Sequence, residues 1–422
     1  MRSTNVFLMD NNSDRNFSTG EIMKSFIFPA MLLATLAVPA LGQVRIKGDP
    51  AAVVEGNNGF AVDLYRQLDK EKGNLFFSPY SISNALAMTY AGGRGNTAKE
   101  MASAMHFDLE PARFHPAFAT LIRELQGPVK GRKYQLKIAN RLWGQKDYGF
   151  LPDFLKTSAQ QYQAGLKEVD FIDDSEGARK AINAWVEDQT NKKIKELIKP
   201  NILSVDTRLV LSNAIYFKAA WLRPFSAKDT KPGDFTTSAG KKVKVPMMHA
   251  GMRTNYFDDG KVLGLEVPYE ERELSMILLM PKKADGLADL EKELTAIQLK
   301  KWLGKLSDHQ VRISLPKFKV TAEFHLNDVL KQLGMKDAFE RKRANFSGMT
   351  TRERLFISHV VHKAFVDVNE AGTEAAASTA VVMDRTSLPP PGVFNADHPF
   401  LFLIRDANTG SILFMGRVAD PT

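Results

Sequence analysis

Apolar positions change their spacing partway along the chain. In the first two hundred residues they recur mainly at helical intervals, and beyond Thr207 they gather into β-branched and aromatic runs. Phe60, Leu64 and Leu68 share one helical face within residues 57–72, and Gly73 closes that helix. Leu75-Phe76-Phe77 reads as a short strand. Ser78 then caps a helix through Ala87, with Pro79 in the first turn, where its missing N–H costs nothing. Thr97 and Glu100 have capping-box spacing for a further helix. Ala178, Ile182, Trp185 and Gln189 trace another, with Lys192, Lys193 and Lys195 near its end, where cations suit the helix dipole.

From Thr207 the runs 209–217, 265–269, 274–280, 311–315, 355–368 and 399–414 read as strands bounded by turn residues, with helical insertions over 287–306 and 326–339. A mostly helical first half followed by a mostly stranded second half predicts a large α+β fold rather than alternating βαβ units. No repeat or linker divides the mature chain, so residues 43–422 are expected to form one domain.

The 422 residues are 25% charged and 44% hydrophobic, enough apolar material for a core and too mixed in sign for a disordered chain. Lys and Arg exceed Asp and Glu by 57 − 48 = 9, a basic surplus spread along the chain, which argues only weakly for nucleic acid. The absence of cysteine excludes disulfides, Cys-ligated zinc, iron–sulfur clusters and thiol nucleophiles. Near the N-terminus Met23-Lys24, an apolar stretch from Phe26 to Leu41 and the small residues before Gln43 follow the order of a secretory signal. The expectation is a leader and signal peptide over residues 1–42, translation starting at Met23, and a mature protein that is secreted or periplasmic and free of membrane.

Enzymatic chemistry finds little purchase. No G-x-S-x-G elbow is present, and the S-x-x-K matches at Ser238/Lys241 and Ser314/Lys317 lie in a turn and across Pro316 in a strand. His359 and His362, three apart on a strand, point to opposite faces and cannot share a metal. The turn Gly92-Gly93-Arg94-Gly95 lacks the Lys-Ser/Thr of a phosphate-binding loop. The basic residues Lys130, Arg132, Lys133 and Lys137 form a candidate polyanion site.

The segment 370–382 (Glu-Ala-Gly-Thr-Glu-Ala-Ala-Ala-Ser-Thr-Ala-Val-Val) is unlike a core. Its alanines favour helix while its threonines and valines favour strand. As a strand it would set Thr373, Ala375, Ala377, Thr379 and Val381 on one face, all small enough to slide beneath a packed core. No proline interrupts it until Pro389-Pro390-Pro391, and Gly372 supplies backbone freedom at its start. Such a sequence suits both an exposed loop and an inserted strand.

That segment resembles the reactive-loop hinge of the serpins, the serine protease inhibitors. So do the stretch Asn74 to Ser83, the run Leu211 to Lys218 continuing to Trp221, the run Phe394 to Phe402, and the ending Phe414 to Val418 with Pro421, together spanning about Val53 to Thr422. The resemblance implies a serpin-like single domain of three β-sheets and eight to nine helices with an exposed reactive loop. It implies a hinge at Glu370, Gly372, Thr373, Glu374, Ala375, Ala376 and Ala377, a shutter at Ser78, Ser81, Asn213 and His362, and a breach at Trp221. It further implies a monomer without cofactor or catalysis of its own, whose partner is a target serine protease. Cleavage of the loop traps the acyl-enzyme as the loop inserts.

Counted as in that family, the seventeenth residue from Glu370 is Thr386, placing the reactive bond at Thr386-Ser387 and suiting an elastase-like or subtilisin-like target. The alternative bond, Arg385-Thr386, would suit a trypsin-like one. A hinge free of bulky or proline residues favours inhibition over the alternative of a non-inhibitory binding or chaperone-like serpin.

Overall fold

The computed structural model describes residues 46–70, 73–127, 132–352, 354–374 and 391–422. Among them the α-helices are α1 (Asp49–Leu68), α2 (Pro79–Tyr90), α3 (Gly95–Met105), α4 (Pro111–Gln126), α5 (Pro152–Tyr162), α6 (Ser175–Gln189), α7 (Leu287–Glu293), α8 (Ala296–Lys305) and α9 (Asn327–Gln332). The strands are β1 (Leu75–Phe77), β2 (Gln135–Gln145), β3 (Leu166–Val169), β4 (Leu209–Ala220), β5 (Lys231–Thr236), β6 (Lys242–Asp258), β7 (Val262–Pro268), β8 (Leu274–Pro281), β9 (Ser307–Pro316), β10 (Phe318–His325), β11 (His359–Asn369), β12 (Gly372–Thr373), β13 (Gly392–Asn395), β14 (Phe400–Asp406) and β15 (Ile412–Val418). The arrangement is α+β, as the apolar pattern predicts.

A six-stranded sheet, ordered β10-β11-β12-β4-β2-β3, forms the centre. The remaining strands form two groups, β1-β15-β14-β8-β7 and β5-β6-β9-β13. Among the described residues they join only where Tyr256–Asp258 of β6 pair with Leu263–Leu265 of β7, so the 17-residue β6 links two sheets and brings the total to three. The central sheet is covered on both faces. Ile182 and Val186 of α6 pack with Trp143, Val210, Ala214 and Val361 on one side, and α2 packs into the main core on the other.

Burial on both faces explains where the local reading and the fold diverge. β2 falls in the half expected to be mostly helical; its C-terminal part is covered on both sides, so it lacks a clean alternation of apolar and polar residues. The capping box at Thr97 is not formed. α3 begins at Gly95, and the Thr97 hydroxyl instead accepts the Asn345 N–H at 3.0 Å. Ser78 does cap α2, accepting the Ser81 N–H at 3.2 Å with Pro79 in the first turn. The run from Leu355 becomes a strand only at His359, and the run 399–414 is two strands of a hairpin.

Candidate functional site

The central sheet holds two different arrangements along one seam. At one end β11 and β4 pair directly and in parallel, from His359 opposite Val210 to Phe365 opposite Tyr216. At the other end β12 lies between them, with Thr373 opposite Val368 of β11 and Ala219 of β4, antiparallel to both. The sheet is closed below and split above by the first residues of the predicted hinge.

A polar cluster lies buried beneath the closed part. Ser78, Ser81, Asn213 and His362 have no exposed surface. The His362 Nε2 accepts the Ser78 N–H at 3.1 Å, so its proton sits on Nδ1 and is donated to the Asn213 Oδ1. Asn213 Nδ2 donates to the Ser81 Oγ at 2.8 Å and to the Asn140 Oδ1 at 2.5 Å, and Ser78 Oγ donates to the Leu413 carbonyl at 2.6 Å. Burial lowers the His362 pKa from its ordinary value to about 3 and keeps the ring neutral. This network joins α2, β2, β4, β11 and β15, and it unites all four residues singled out in the sequence. Asn140 is a fifth member the sequence reading missed; its signal is an amide set among Ile138, Ala139, Leu142 and Trp143.

The split end is held by residues from four segments. Trp221 Nε1 donates to the Asn369 carbonyl at 3.0 Å, its own N–H goes to the Ala371 carbonyl at 3.0 Å, and its ring stacks on Tyr269 at 4.5 Å. The Tyr269 hydroxyl meets the Thr373 Oγ1 at 2.7 Å. Gly372 has φ 150°, and a Cβ there would lie 2.1 Å from the Ala219 carbonyl oxygen, so only glycine fits between the strands. Glu370 is tied outside the sheet by Lys317 at 2.9 Å and Thr230 at 2.9 Å. Burial opposes ionisation of Glu370, but these bonds win and hold its carboxyl below the usual glutamate value.

The chain turns away at Glu374. Its φ is 54°, left-handed for a non-glycine residue, while its N–H bonds the Asp367 carbonyl at 2.8 Å and its carboxylate pairs with Lys193. Burial, then the neighbouring Glu374 carboxylate, pushes the Tyr216 hydroxyl up to about 12. Lys193 lies beyond α6, so its partner is the hinge rather than the helix end. Ala375, Ala376, Ala377, Arg385, Thr386 and Ser387 lie outside the described residues, as do Lys130 and residues 1–42. Of the candidate polyanion cluster, Arg132 is folded inward. Its guanidinium donates to the carbonyls of Glu124, Leu125 and Gly127 and sits 4.9 Å over the Tyr134 ring, while Lys133 pairs with Glu270.

An α+β molecule whose central sheet is parted at one end by the start of its own loop, above a buried polar seam, is a loop-accepting architecture. Residues 55–421 match the family model described as Serpin (serine protease inhibitor), and the chain belongs to the serpins. It is 44% identical to the leukocyte elastase inhibitor of Bos taurus over 375 residues, covering 86% of this chain and 98% of that protein. It is 42% identical to Serpin B8 of Bos taurus over 375 residues, covering 88% of this chain and 100% of that one. The crystal structure of Serpin48 of the insect Tenebrio molitor superposes with a TM-score of 0.78 at 34% identity, covering 89% of this chain and 98% of that one.

These matches overturn the expected export. The two relatives are covered over 98 and 100% of their length, which leaves no room in them for a signal peptide, so the N-terminal stretch has no counterpart there. The assignment as a secreted or periplasmic protein with a signal peptide is therefore withdrawn. A short apolar stretch behind a lysine, followed by small residues, is too generic a pattern to fix localisation.

Proposed function

We propose that this serpin is a suicide inhibitor of serine proteases whose reactive loop, once cut, completes a strand between β11 and β4. The observation that supports this is β12, where Gly372 and Thr373 are already bonded to both neighbours. A protease serine attacks the scissile carbonyl, expels the amine of the following residue and remains joined as an ester. The freed hinge then continues from Thr373 along the seam, drawing the acyl-enzyme with it before water can release it. On the order of ten new ladder hydrogen bonds at about 1 kcal/mol each would supply the driving force. The protein thus acts without catalysis of its own.

In this reading Glu370 to Ala377 form the hinge, Trp221 marks where it enters, and Ser78, Ser81, Asn213 and His362 guard the seam that must open. Residues 43–422 act as one domain and as a monomer. We place the reactive bond at Thr386-Ser387, and the elastase inhibitors among the relatives favour an elastase-like target over a trypsin-like one cutting at Arg385.

The test is incubation with an elastase, a subtilisin and a trypsin in parallel, read by denaturing gel and by the mass of the released C-terminal peptide. A denaturant-resistant complex with the elastase and a peptide starting at Ser387 is expected. A peptide starting at Thr386 moves the bond and the target class. Cleavage by all three enzymes without complex would overturn inhibition of these classes.

A further inference from the structure

β13 carries the chain away from the reactive loop, and its ladder is short. It has four residues and pairs with β9 alone, at the edge of its sheet. Two backbone bonds hold the chain just past it: the Ala396 N–H donates to the Ser314 carbonyl at 2.9 Å, and the Thr236 N–H of β5 to the Asp397 carbonyl at 2.8 Å. His398 follows and is 7% exposed. Its Nδ1 lies 2.6 Å from the Asp397 Oδ1, and its Nε2 lies 2.7 Å from the Pro281 carbonyl at the end of β8. The other Asp397 oxygen accepts the Asn395 side-chain N–H at 2.6 Å. Ring, carboxylate and the last residue of β13 thus form one chain of bonds.

Both partners of the ring are acceptors. A neutral imidazole has a single N–H and satisfies one of them, whereas the imidazolium donates to both. Burial alone drives the proton off, as it does at His362. Burial acts in the same direction at His398, but the bonds to Asp397 and to the Pro281 carbonyl outweigh it and raise the pKa above the ordinary 6.5. Most charges on the flanking elements are spent elsewhere: Lys282 beyond Pro281 pairs with Asp258 at 2.9 Å, Lys261 with Glu293 at 3.9 Å, Asp234 of β5 with Lys244 at 2.9 Å, and Arg417 of β15 with Glu291 at 2.8 Å. Lys231, Lys241, Lys242 and Arg312 are exposed to solvent. Among the described residues Asp397 is the carboxylate bonded to the ring. The stability that the cation adds is fully present below pH 6.5 and is lost as the pH rises through the higher folded value.

We propose that the His398 imidazolium is a pH-sensitive latch on β13, closed while the ring is charged and open once it is neutral. An uncut reactive loop is held at both ends, and β13 is the end that the hinge does not control. The bearing of the latch on inhibition rests on the function proposed above; the latch itself needs neither protease nor cleavage.

Two measurements on the full chain test it. Histidine ring protons are titrated by nuclear magnetic resonance, with the His398 signal assigned by its loss in His398→Gln. The ring should titrate above pH 6.5, and at lower pH in Asp397→Asn than in wild type. Hydrogen exchange over residues 392–396, normalised to the intrinsic rate at each pH, reads the strand directly. Protection should fall about tenfold between pH 6 and pH 9 in wild type, the order expected for one lost charge-assisted bond. It should change less than twofold in His398→Gln, and the fall should move to lower pH in Asp397→Asn. Circular dichroism checks that the variants are folded, and Asp397→Asn, at a half-exposed position, keeps the test decisive if His398→Gln is not. A His398 ring titrating at or below pH 6.5, wild-type protection constant within twofold, an equal fall in His398→Gln, or a fall at unchanged pH in Asp397→Asn would overturn the latch.

Discussion

The two ends of the β4–β11 seam are made of the same strands and differ in what lies between them. Below, Asn213 and His362 sit opposite each other in a closed parallel ladder, with every polar group of the cluster spent on a neighbour. Above, Ala219 and Val368 are parted by Thr373, which is laddered to both strands, and the side chains that brace the gap, Trp221 and Tyr269, come from loops. The difference locates the resistance to insertion. On the proposed mechanism the upper end has already yielded, and the lower end must break a buried hydrogen-bond network before the loop can advance.

The largest effect should come from blocking entry. Thr373 is fully buried, with its hydroxyl on Tyr269. Thr373→Arg would put an unpaired guanidinium into that space at about 3–5 kcal/mol, or leave the hinge outside the sheet. On the proposed mechanism the acyl-enzyme then hydrolyses before trapping. The variant should be cleaved as a substrate, with the yield of denaturant-resistant complex falling at least tenfold. An unchanged yield would mean that β12 is not where insertion starts.

How much of this was legible in advance follows from how far apart the interacting residues lie in the chain. The hinge could be read because its property is composition: small residues, no proline, divided propensity. Ser78, Ser81, Asn213 and Trp221 were legible through long family-like motifs, and His362 only as a position the resemblance implies. Asn140, Tyr269 and Lys193 were not, because their roles depend on sheet register. Asn140 meets Asn213 only through the pairing of β2 with β4, and Tyr269 reaches Thr373 across 104 positions of sequence. Lys193 was read from its local surroundings as a cation at a helix end, and Thr97 as a cap; in both, a distant partner outcompeted the local pattern. The N-terminal signal failed for a different reason, since its few requirements are met by many apolar stretches.

A smaller effect is expected from loosening the lower end. Asn213→Ala strands the His362 Nδ1–H in a site closed to water and leaves the Ser81 and Asn140 oxygens only their mutual bond at 3.2 Å, at about 2 kcal/mol or more. Its thermal midpoint at a fixed scan rate should fall, and spontaneous insertion of the uncut loop should quicken. His362 adds a pH dependence. Its folded pKa of about 3 lies below the ordinary 6.5, so the unfolded chain takes up the proton first as pH falls. Its contribution to stability is therefore complete above about pH 6.5 and is lost towards pH 3, by up to about 1.4 kcal/mol per pH unit. His362→Gln keeps one donor and one acceptor but cannot titrate. Denaturation midpoints of the two proteins between pH 7 and 4 should converge as the pH falls; parallel curves would show that the ring is not held neutral by the fold.

The mildest change acts at the boundary between the two arrangements. Glu374 is the first described residue to leave the seam, and its left-handed backbone is held against Lys193, whose side chain is about half exposed. A partly exposed pair of this kind contributes at most about 1 kcal/mol. On the proposed mechanism, insertion beyond Thr373 requires Glu374 to become extended and to abandon that pair, which would make the pair a brake on the hinge. Lys193→Ala should then speed spontaneous loss of inhibitory activity on incubation at 37 °C by about fivefold, the factor corresponding to about 1 kcal/mol, and Lys193→Arg should restore the wild-type rate. Slower loss would reverse the sign and make the ion pair a support for the inserted hinge. An unchanged rate in both variants would place the barrier wholly at the His362 and Asn213 network below.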